Sequence, residues 1–250
     1  MFDFENRVVM VTGGGQGIGA ATATLFGEQG ANVVVTDVVE EREAVGEAVE
    51  DAGGSALVRE LDVTDYEQAQ SVVKDTVDEF GRVDVLVNNA GIFPTAGVDE
   101  MTPEDWQRVI DINLTGTFNC TKAVLPVMRD QEYGRIVNIS SASGGKIGWS
   151  GELSHYAASK GGVVGFTRSA AIDLGPDGIT MNAIVPGMID TGAAEEVSTD
   201  EEIQGAVNMT PVGRQGDPDE LAAAIVYLAS EPAAFVTGES LVVDGGITLV

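Results

Sequence analysis

The chain has 250 residues, 44% of them hydrophobic and 32 of them glycine, which is enough to bury one large core and fits a single domain over residues 1–250. Forty acidic residues against thirteen basic ones give a formal net charge of -27, a surface that repels nucleic-acid phosphates and anionic membranes and needs counterions to screen its self-repulsion. That charge predicts a salt-adapted, halophilic protein. With no apolar run near the ~20 residues of a membrane span and an acidic start, Met1-Phe-Asp-Phe-Glu, a soluble cytoplasmic protein is expected.

From the N-terminus onward, short β-branched runs alternate with longer amphipathic stretches. Strands are predicted at Val8–Thr12, Asn32–Thr36, Ala56–Leu61, Val83–Asn88, Arg135–Ser140, Thr180–Val185 and Ser240–Val243. Several are apolar throughout, as a sheet covered on both faces requires. Helical patterns lie between them near Ile18–Gln29, Glu40–Ala52, Tyr66–Phe80, Pro103–Asp130, Ser154–Leu174 and Pro218–Ser230. The alternation defines an α/β fold, an open doubly wound parallel sheet of about seven strands flanked by helices, with ligands bound at the edge where the strands end. Gly187–Val212 is the main irregular stretch and reads as a mobile substrate lid.

The first strand runs into Thr12-Gly-Gly-Gly-Gln-Gly-Ile-Gly19 and then a helix. Glycines let the backbone approach a pyrophosphate, and a helix N-terminus offers it free N–H groups and partial positive charge. The second strand ends at Asp37, where a carboxylate hydrogen-bonds the hydroxyls of an adenosine ribose and repels a 2′-phosphate. No Arg or Lys lies among residues 13–41, so NAD is expected in preference to NADP. Tyr156 and Lys160 stand four residues apart on one predicted helix, hence on one face. A phenol titrates near pH ~10, and a nearby ammonium favours its phenolate.

Cys120 cannot form an internal disulfide and is expected to fill core space beside Phe118. His155, the only histidine, lies about 100° around the helix from Tyr156 and suits packing better than proton transfer. Lys146 is one of four lysines and falls in the loop before that helix, where a solvated side chain is expected before an anion contact. Ala142–Ser154 and the lid, containing Trp149, Glu152, Glu195, Glu196 and Met209, should shape a substrate pocket.

Together Thr12-Gly-x-x-x-Gly-Ile-Gly19, Leu61-Asp-Val63, Asn88-Asn-Ala-Gly91, Asn113, Asn138-Ile-Ser-Ser141, Tyr156-x-x-x-Lys160, Pro186-Gly187 and Val243-Asp-Gly-Gly246 give a chain that resembles the short-chain dehydrogenase/reductase family over its whole length. The resemblance implies a one-domain Rossmann-type fold that exchanges hydride between a nicotinamide and an alcohol or carbonyl. It makes Tyr156 the general acid/base, and Lys160 the group that holds the nicotinamide ribose and lowers the Tyr156 pKa. It makes Ser141 the donor to the reacting oxygen, and Asn113 the residue that orients a relay water. It places Gly13, Gln16, Gly17, Ile18 and Gly19 at the pyrophosphate, Asp37 at the ribose, Asp62 and Val63 at the adenine, and Asn89, Ala90 and Gly91 under the adenosine ribose. Pro186, Gly187, Ile189 and Thr191 flank the nicotinamide, while Asn88 ties neighbouring strands.

The family's common serine-to-tyrosine spacing would select Ser143, but the strand-end phrase selects Ser141, since the following loop absorbs two residues at little cost. No metal is expected. NAD use points toward oxidation of a secondary alcohol such as a sugar, polyol or hydroxy acid. The alternative is reduction of a 3-oxoacyl thioester on acyl-carrier protein or CoA, and a nonenzymatic dinucleotide sensor is the remote one. Small residues Ala157, Ala158, Gly161, Gly162 and Gly165 permit close helix approach, and by resemblance the protein is a homotetramer.

Overall fold

A computed structural model describes residues 2–148, 152–192 and 199–250. Seven parallel strands form one sheet: β1 (Val8–Thr12), β2 (Asn32–Asp37), β3 (Ser55–Glu60), β4 (Val85–Asn88), β5 (Gly134–Ile139), β6 (Ile179–Pro186) and β7 (Ser240–Val243). Their order is β3-β2-β1-β4-β5-β6-β7. The order reverses between β1 and β4, which pair from Val9↔Val85 to Thr12↔Asn88, so the loops leaving these strands diverge and open a crevice.

Period-two alternation splits each strand between two cores. Val9 and Val11 join Phe26 and Ile225 on one face, and Val8 and Met10 join Leu86, Met128 and Ile179 on the other. Helices α1 (Gly17–Glu28), α2 (Arg42–Asp51), α3 (Tyr66–Phe80), α4 (Pro103–Ile110), α5 (Gly116–Asp130), α6 (Ser154–Leu174), α7 (Asp200–Met209) and α8 (Pro218–Ala229) complete the described fold. Sequence sets their ends. Asp65 caps α3 by accepting from the Gln68 N–H, and Gly81 closes that helix in the left-handed region at φ 78°. Thr102 with Asp105, and Asp217 with Glu220, form capping boxes, each followed by proline at the first helical position.

Three differences from the sequence prediction bear on the site. β4 begins at Val85 rather than Val83, because the Gln131 carboxamide pairs both backbone groups of Val83: its Oε1 accepts from the Val83 N–H at 3.0 Å and its Nε2 donates to the Val83 carbonyl at 2.8 Å. The helix expected over Pro103–Asp130 is broken by a π-helical turn, Asp111–Thr115, which carries Asn113. The stretch read as irregular from Gly187 to Val212 contains α7, begun by a capping box of Thr199 and Glu202, and Ile189 pairs with Gly216 in a short bridge. No helix of the described residues is long and apolar enough to cross a membrane.

Candidate functional site

The turn after β1 folds tightly because its glycines have no side chains to place. A Cβ on Gly19 would collide with the Gly13 carbonyl oxygen, and one on Gly17, at φ +52°, would come within 3.2 Å of the Thr191 side chain. Gly17 therefore lies close beside Thr191, where a side chain would be both crowded and held in a strained backbone conformation. Gln16 precedes α1 with extended backbone and no side-chain cap, so the first N–H groups of the helix are left for a ligand. A pyrophosphate fits this cradle by shape and by charge.

At the end of β2 the Asp37 carboxylate accepts three backbone hydrogen bonds, from Gly15 at 2.9 Å, Val38 at 2.7 Å and Val39 at 3.3 Å. Arg42, the first basic residue after the glycine turn, is folded back: its Nη1 donates to the Val39 carbonyl at 2.6 Å, and its Nη2 lies 3.8 Å from Glu60. Asn89 binds the glycine turn to β4 through its Nδ2, which donates to the carbonyls of Thr12 and Gly13 at 3.1 and 2.7 Å. Asn88 ties strands as expected, donating to Asn138 Oδ1 at 2.8 Å and Thr121 Oγ1 at 3.0 Å.

Behind the crevice α6 presents Tyr156 and Lys160. The Lys160 side chain is buried, with Nζ donating to the Ile139 carbonyl at 2.8 Å and lying 5.8 Å from the centre of the Tyr156 ring. Burial pushes the Lys160 pKa down from 10.5 to about 8. Burial also raises the Tyr156 pKa, and a hydrogen bond with Ser141 opposes that rise. The expected lowering of the Tyr156 pKa is therefore not a property of the polypeptide alone. Desolvation of the phenolate outweighs the stabilising contacts that the chain itself supplies.

Ser141 accepts from the Ser143 N–H at 3.2 Å and both serines line the cavity, Ser141 being the one whose hydroxyl opposes the rise in the Tyr156 pKa. Asn113 is fully buried in the π turn. Its carboxamide pairs both backbone groups of Ile92 at 2.8 Å and donates to Ser159 Oγ at 3.1 Å. Ser159 in turn donates to the Tyr156 carbonyl at 2.7 Å, so the π turn is linked to the helix that carries the phenol. A Cβ on Gly91 would sit 3.2 Å from Asn113 Oδ1 and 3.3 Å from Lys160 Nζ, which places that glycine backbone against both.

These groups open into a cavity of about 570 Å³. It brings together Ile18, Asn89, Gly91, Ser141, Tyr156, Lys160, Pro186, Gly187, Ile189 and Thr191. Gly13, Gln16, Gly17, Gly19, Asp37, Asp62, Val63, Ala90 and Asn113 are not part of its lining. Asp62 stays exposed and accepts from the N–H and hydroxyl of Thr64, while Val63 is buried against Gly116. Leu153, Met188 and Glu202 line the cavity from the two stretches expected to shape it, although none was singled out, whereas Phe93 was missed because it follows the Asn88–Gly91 motif and lies in neither stretch. Glu152 and Met209 line the cavity, whereas Trp149, Glu195 and Glu196 lie outside the described residues.

Lys146 is exposed and does not line the cavity. His155 is buried against the α4 side, its pKa lowered by burial, and it too lies outside the cavity lining. Cys120 is core, with burial pushing its thiol up to about 12.

A parallel sheet with a glycine cradle at its switch point, and a buried Tyr-Lys pair facing the same crevice, defines a nicotinamide-dependent oxidoreductase. The comparisons with known proteins agree. A family model described as enoyl-(acyl carrier protein) reductase matches residues 13–248. The chain is 41% identical over 246 residues to a 3-oxoacyl-(acyl-carrier-protein) reductase of Thermotoga maritima, covering 98% of this chain and 99% of that one. It is 44% identical over 248 residues to a cis-4-hydroxycyclohexanecarboxylate dehydrogenase of Sinomonas cyclohexanicum, covering 99% and 98%. Among solved structures, levodione reductase superposes with a TM-score of 0.93 at 36% identity, covering 99% of each chain. A short-chain dehydrogenase/reductase of Mycobacterium marinum gives 0.95 at 34%, covering 100% and 98%. The chain belongs to the short-chain dehydrogenase/reductase family and acts on CH–OH or carbonyl groups with NAD(P).

Proposed function

We propose that the protein is an NAD-dependent dehydrogenase of a secondary alcohol, with Tyr156, Lys160, Ser141 and Asn113 as its working residues. The observation that carries the cofactor choice is Asp37, fixed by three backbone N–H groups at the end of β2 with Arg42 turned onto the Val39 carbonyl. A carboxylate so held accepts from a ribose diol and repels a 2′-phosphate. When bound, NAD would supply the hydride acceptor and the positive charge of its oxidised ring.

In the oxidative direction Tyr156, once it has given its own proton to the relay and stands as the phenolate, would take the alcohol proton while the carbinol carbon loses hydride to the bound nicotinamide. Ser141 donates to the reacting oxygen as its charge changes. Lys160 holds the ribose hydroxyls and passes the proton onward. The Asn113 carboxamide is engaged with Ile92 and Ser159, which leaves its main-chain carbonyl, shared with the Thr117 hydroxyl at 2.8 Å, to hold a relay water. Gly13, Gln16, Gly17, Ile18 and Gly19 take the pyrophosphate. Asp62 and Val63 take the adenine, Asn89 to Gly91 the adenosine ribose, and Pro186, Gly187, Ile189 and Thr191 the nicotinamide. Ser141→Ala is expected to lower kcat more than Ser143→Ala, and the reverse order would move the donor role to Ser143.

A second reading, reduction of a 3-oxoacyl thioester, is favoured by the names of relatives such as the Thermotoga maritima enzyme. Measuring kcat/KM for secondary alcohols with NAD, and for 3-oxoacyl thioesters with NADH and NADPH, separates the two. A preference for NADPH with thioesters would overturn the proposal. The described parts of the stretch read as a lid, 187–192 and 199–212, are taken as the substrate-side wall.

Two further properties belong to the same reading. The net charge of -27 suits a salt-rich cytoplasm, so the melting temperature should rise between ~0.1 M and ~3 M KCl, and a flat or falling response would refute this. Exposed Phe118 and Ile172 on α5 and α6, and Phe235, Leu249 and Val250 beside the β7 edge, support a homotetramer built on two faces. Sedimentation in high salt tests it, and a monomer at micromolar concentration would refute it.

A further inference from the structure

The substrate side of the cavity has a chemical character of its own. Phe93, with its ring 5.9 Å from that of Tyr156, stands with Leu153 and Met188 around the phenol. Helix α7 completes the wall with Glu202, Gly205, Ala206 and Met209, residues at positions i, i+3, i+4 and i+7 that share one helical face. Among the described lining residues Lys160 is the one cation, and its Nζ is engaged with the Ile139 carbonyl. Glu152 and Glu202 are the anions. Thr199 donates to Glu202 from its backbone N–H at 2.8 Å and its hydroxyl at 2.9 Å, which holds that carboxylate in place and keeps it ionised.

We propose that the substrate is an uncharged secondary alcohol, or its ketone, with a compact apolar body, and that Glu152 and Glu202 act as a charge filter against substrates bearing a carboxylate or phosphate. The inference rests on the cavity being the site of alcohol–carbonyl exchange. Apolar walls at Phe93, Leu153, Met188 and Met209 stabilise a ring or branched hydrocarbon body by its removal from water. An anionic group on the body meets two like charges and no free described cation, and because both carboxylates are solvent-exposed this repulsion is strongest at low salt and is screened as salt rises. The same repulsion opposes acyl thioesters, whose carrier arms are phosphorylated, and the overall charge of -27 adds to it at long range.

The test uses matched pairs that differ in charge and hardly in shape: 4-(1-hydroxyethyl)benzamide with 4-(1-hydroxyethyl)benzoate, and 3-hydroxycyclohexanecarboxamide with 3-hydroxycyclohexanecarboxylate. They are assayed beside a linear polyol and a 3-oxoacyl thioester, with both cofactors, at the lowest salt that keeps the enzyme folded. The amides are expected to exceed the carboxylates in kcat/KM by at least about tenfold, a gap that shrinks as salt is added. In the Glu152→Gln, Glu202→Gln double variant the amide-to-carboxylate ratio should fall several-fold. Glutamine at the third helical position can still complete the capping box, so the ratio reads charge rather than folding.

Carboxylates turned over as well as amides, a polyol or thioester preferred to both, or a ratio unmoved by the double variant would overturn the charge filter while leaving the oxidoreductase reading intact. Absence of NAD(P)-linked turnover of every alcohol, ketone and thioester tried would instead overturn the reading on which it rests.

Discussion

The two ends of the sheet treat buried charge in opposite ways. At the end where the strands begin, Asp84 is wholly buried yet saturated: it accepts from the Val8 N–H at 2.9 Å, from Arg7 at 2.9 Å and from both Arg82 Nε and Nη2. Arg7 and Arg135 sandwich the Tyr133 ring, each guanidinium 4.3 Å from its centre, and both pair with Glu231. At the end where the strands finish, Lys160 is buried just as deeply with a carbonyl as its partner, and its pKa falls to about 8. Charge matched by opposite charge fastens β1, β4 and β5 together. A cation held without a carboxylate remains able to give up its proton near neutrality, which is what proton exchange requires.

The sharpest way to break this contrast is at the phenol. Tyr156→Phe removes the one hydroxyl placed to exchange a proton with substrate, so kcat should fall by about a thousandfold, within the range general acid–base groups contribute. Cofactor affinity, read by NADH fluorescence, should change little, because the cradle from Gly13 to Gly19 is untouched. A residual kcat within a factor of about ten of the wild type would remove Tyr156 from the mechanism.

At the opposite end the same kind of cut should act on stability and spare activity. Asp84→Ala strips the Val8 N–H and two arginines of their acceptor, at a cost of about 3 kcal/mol in unfolding free energy. The folded fraction should keep kcat/KM within about twofold, since damage there acts on how much enzyme is folded and not on its site. Lost turnover in a fully folded Asp84→Ala enzyme would show that the two ends are coupled.

Much of this division was written in the sequence, but unevenly. The strands, the glycine turn, Asp37 and the Tyr156–Lys160 pair were legible because each depends on local spacing, with period two, a Gly-rich turn after a strand, or four residues on a helix. The π turn at Asp111–Thr115 was not, because its cause lies elsewhere: Asn113 is held by both backbone groups of Ile92, a residue 21 positions earlier. The shortening of β4 by Gln131 is the same event, a carboxamide on one element capturing a backbone from another across 48 positions. α7 was hidden for a different reason. Its Thr199–Glu202 capping box is a readable start signal, but it stands within a stretch whose glycines, threonines and acidic residues look like loop. Of the cavity walls, the stretches carrying Leu153, Met188 and Met209 were legible as pocket-forming, whereas Phe93 joins them only through the tertiary fold.

The smallest expected effect tests the electrostatic half of the contrast directly. Lys160 titrates at about 8 in the folded protein against 10.5 for the free side chain. Below pH 8 the amine is charged in both states and the full cost of burying an ammonium is present. As pH rises from about 8 toward 10.5, the folded protein has lost the proton while the unfolded chain still binds it. The unfolded state then carries more protons, so stability must rise with pH through this window, by up to about 3 kcal/mol in total. Tyr156 and Tyr133 work the other way above their ordinary value of 10.0, since burial raises both and the unfolded chain ionises first. Cys120, raised by burial from 9.0 to about 12, opposes the climb in the same way above 9, so the clean interval is from about 8 to about 9. Denaturant midpoints of the cofactor-free enzyme across that interval should climb in the wild type and lose that climb in Lys160→Met, whatever the variant's absolute stability. Parallel slopes in the two proteins would mean that the ammonium is stabilised by more than the Ile139 carbonyl, and that the two ends of the sheet do not differ in the way described.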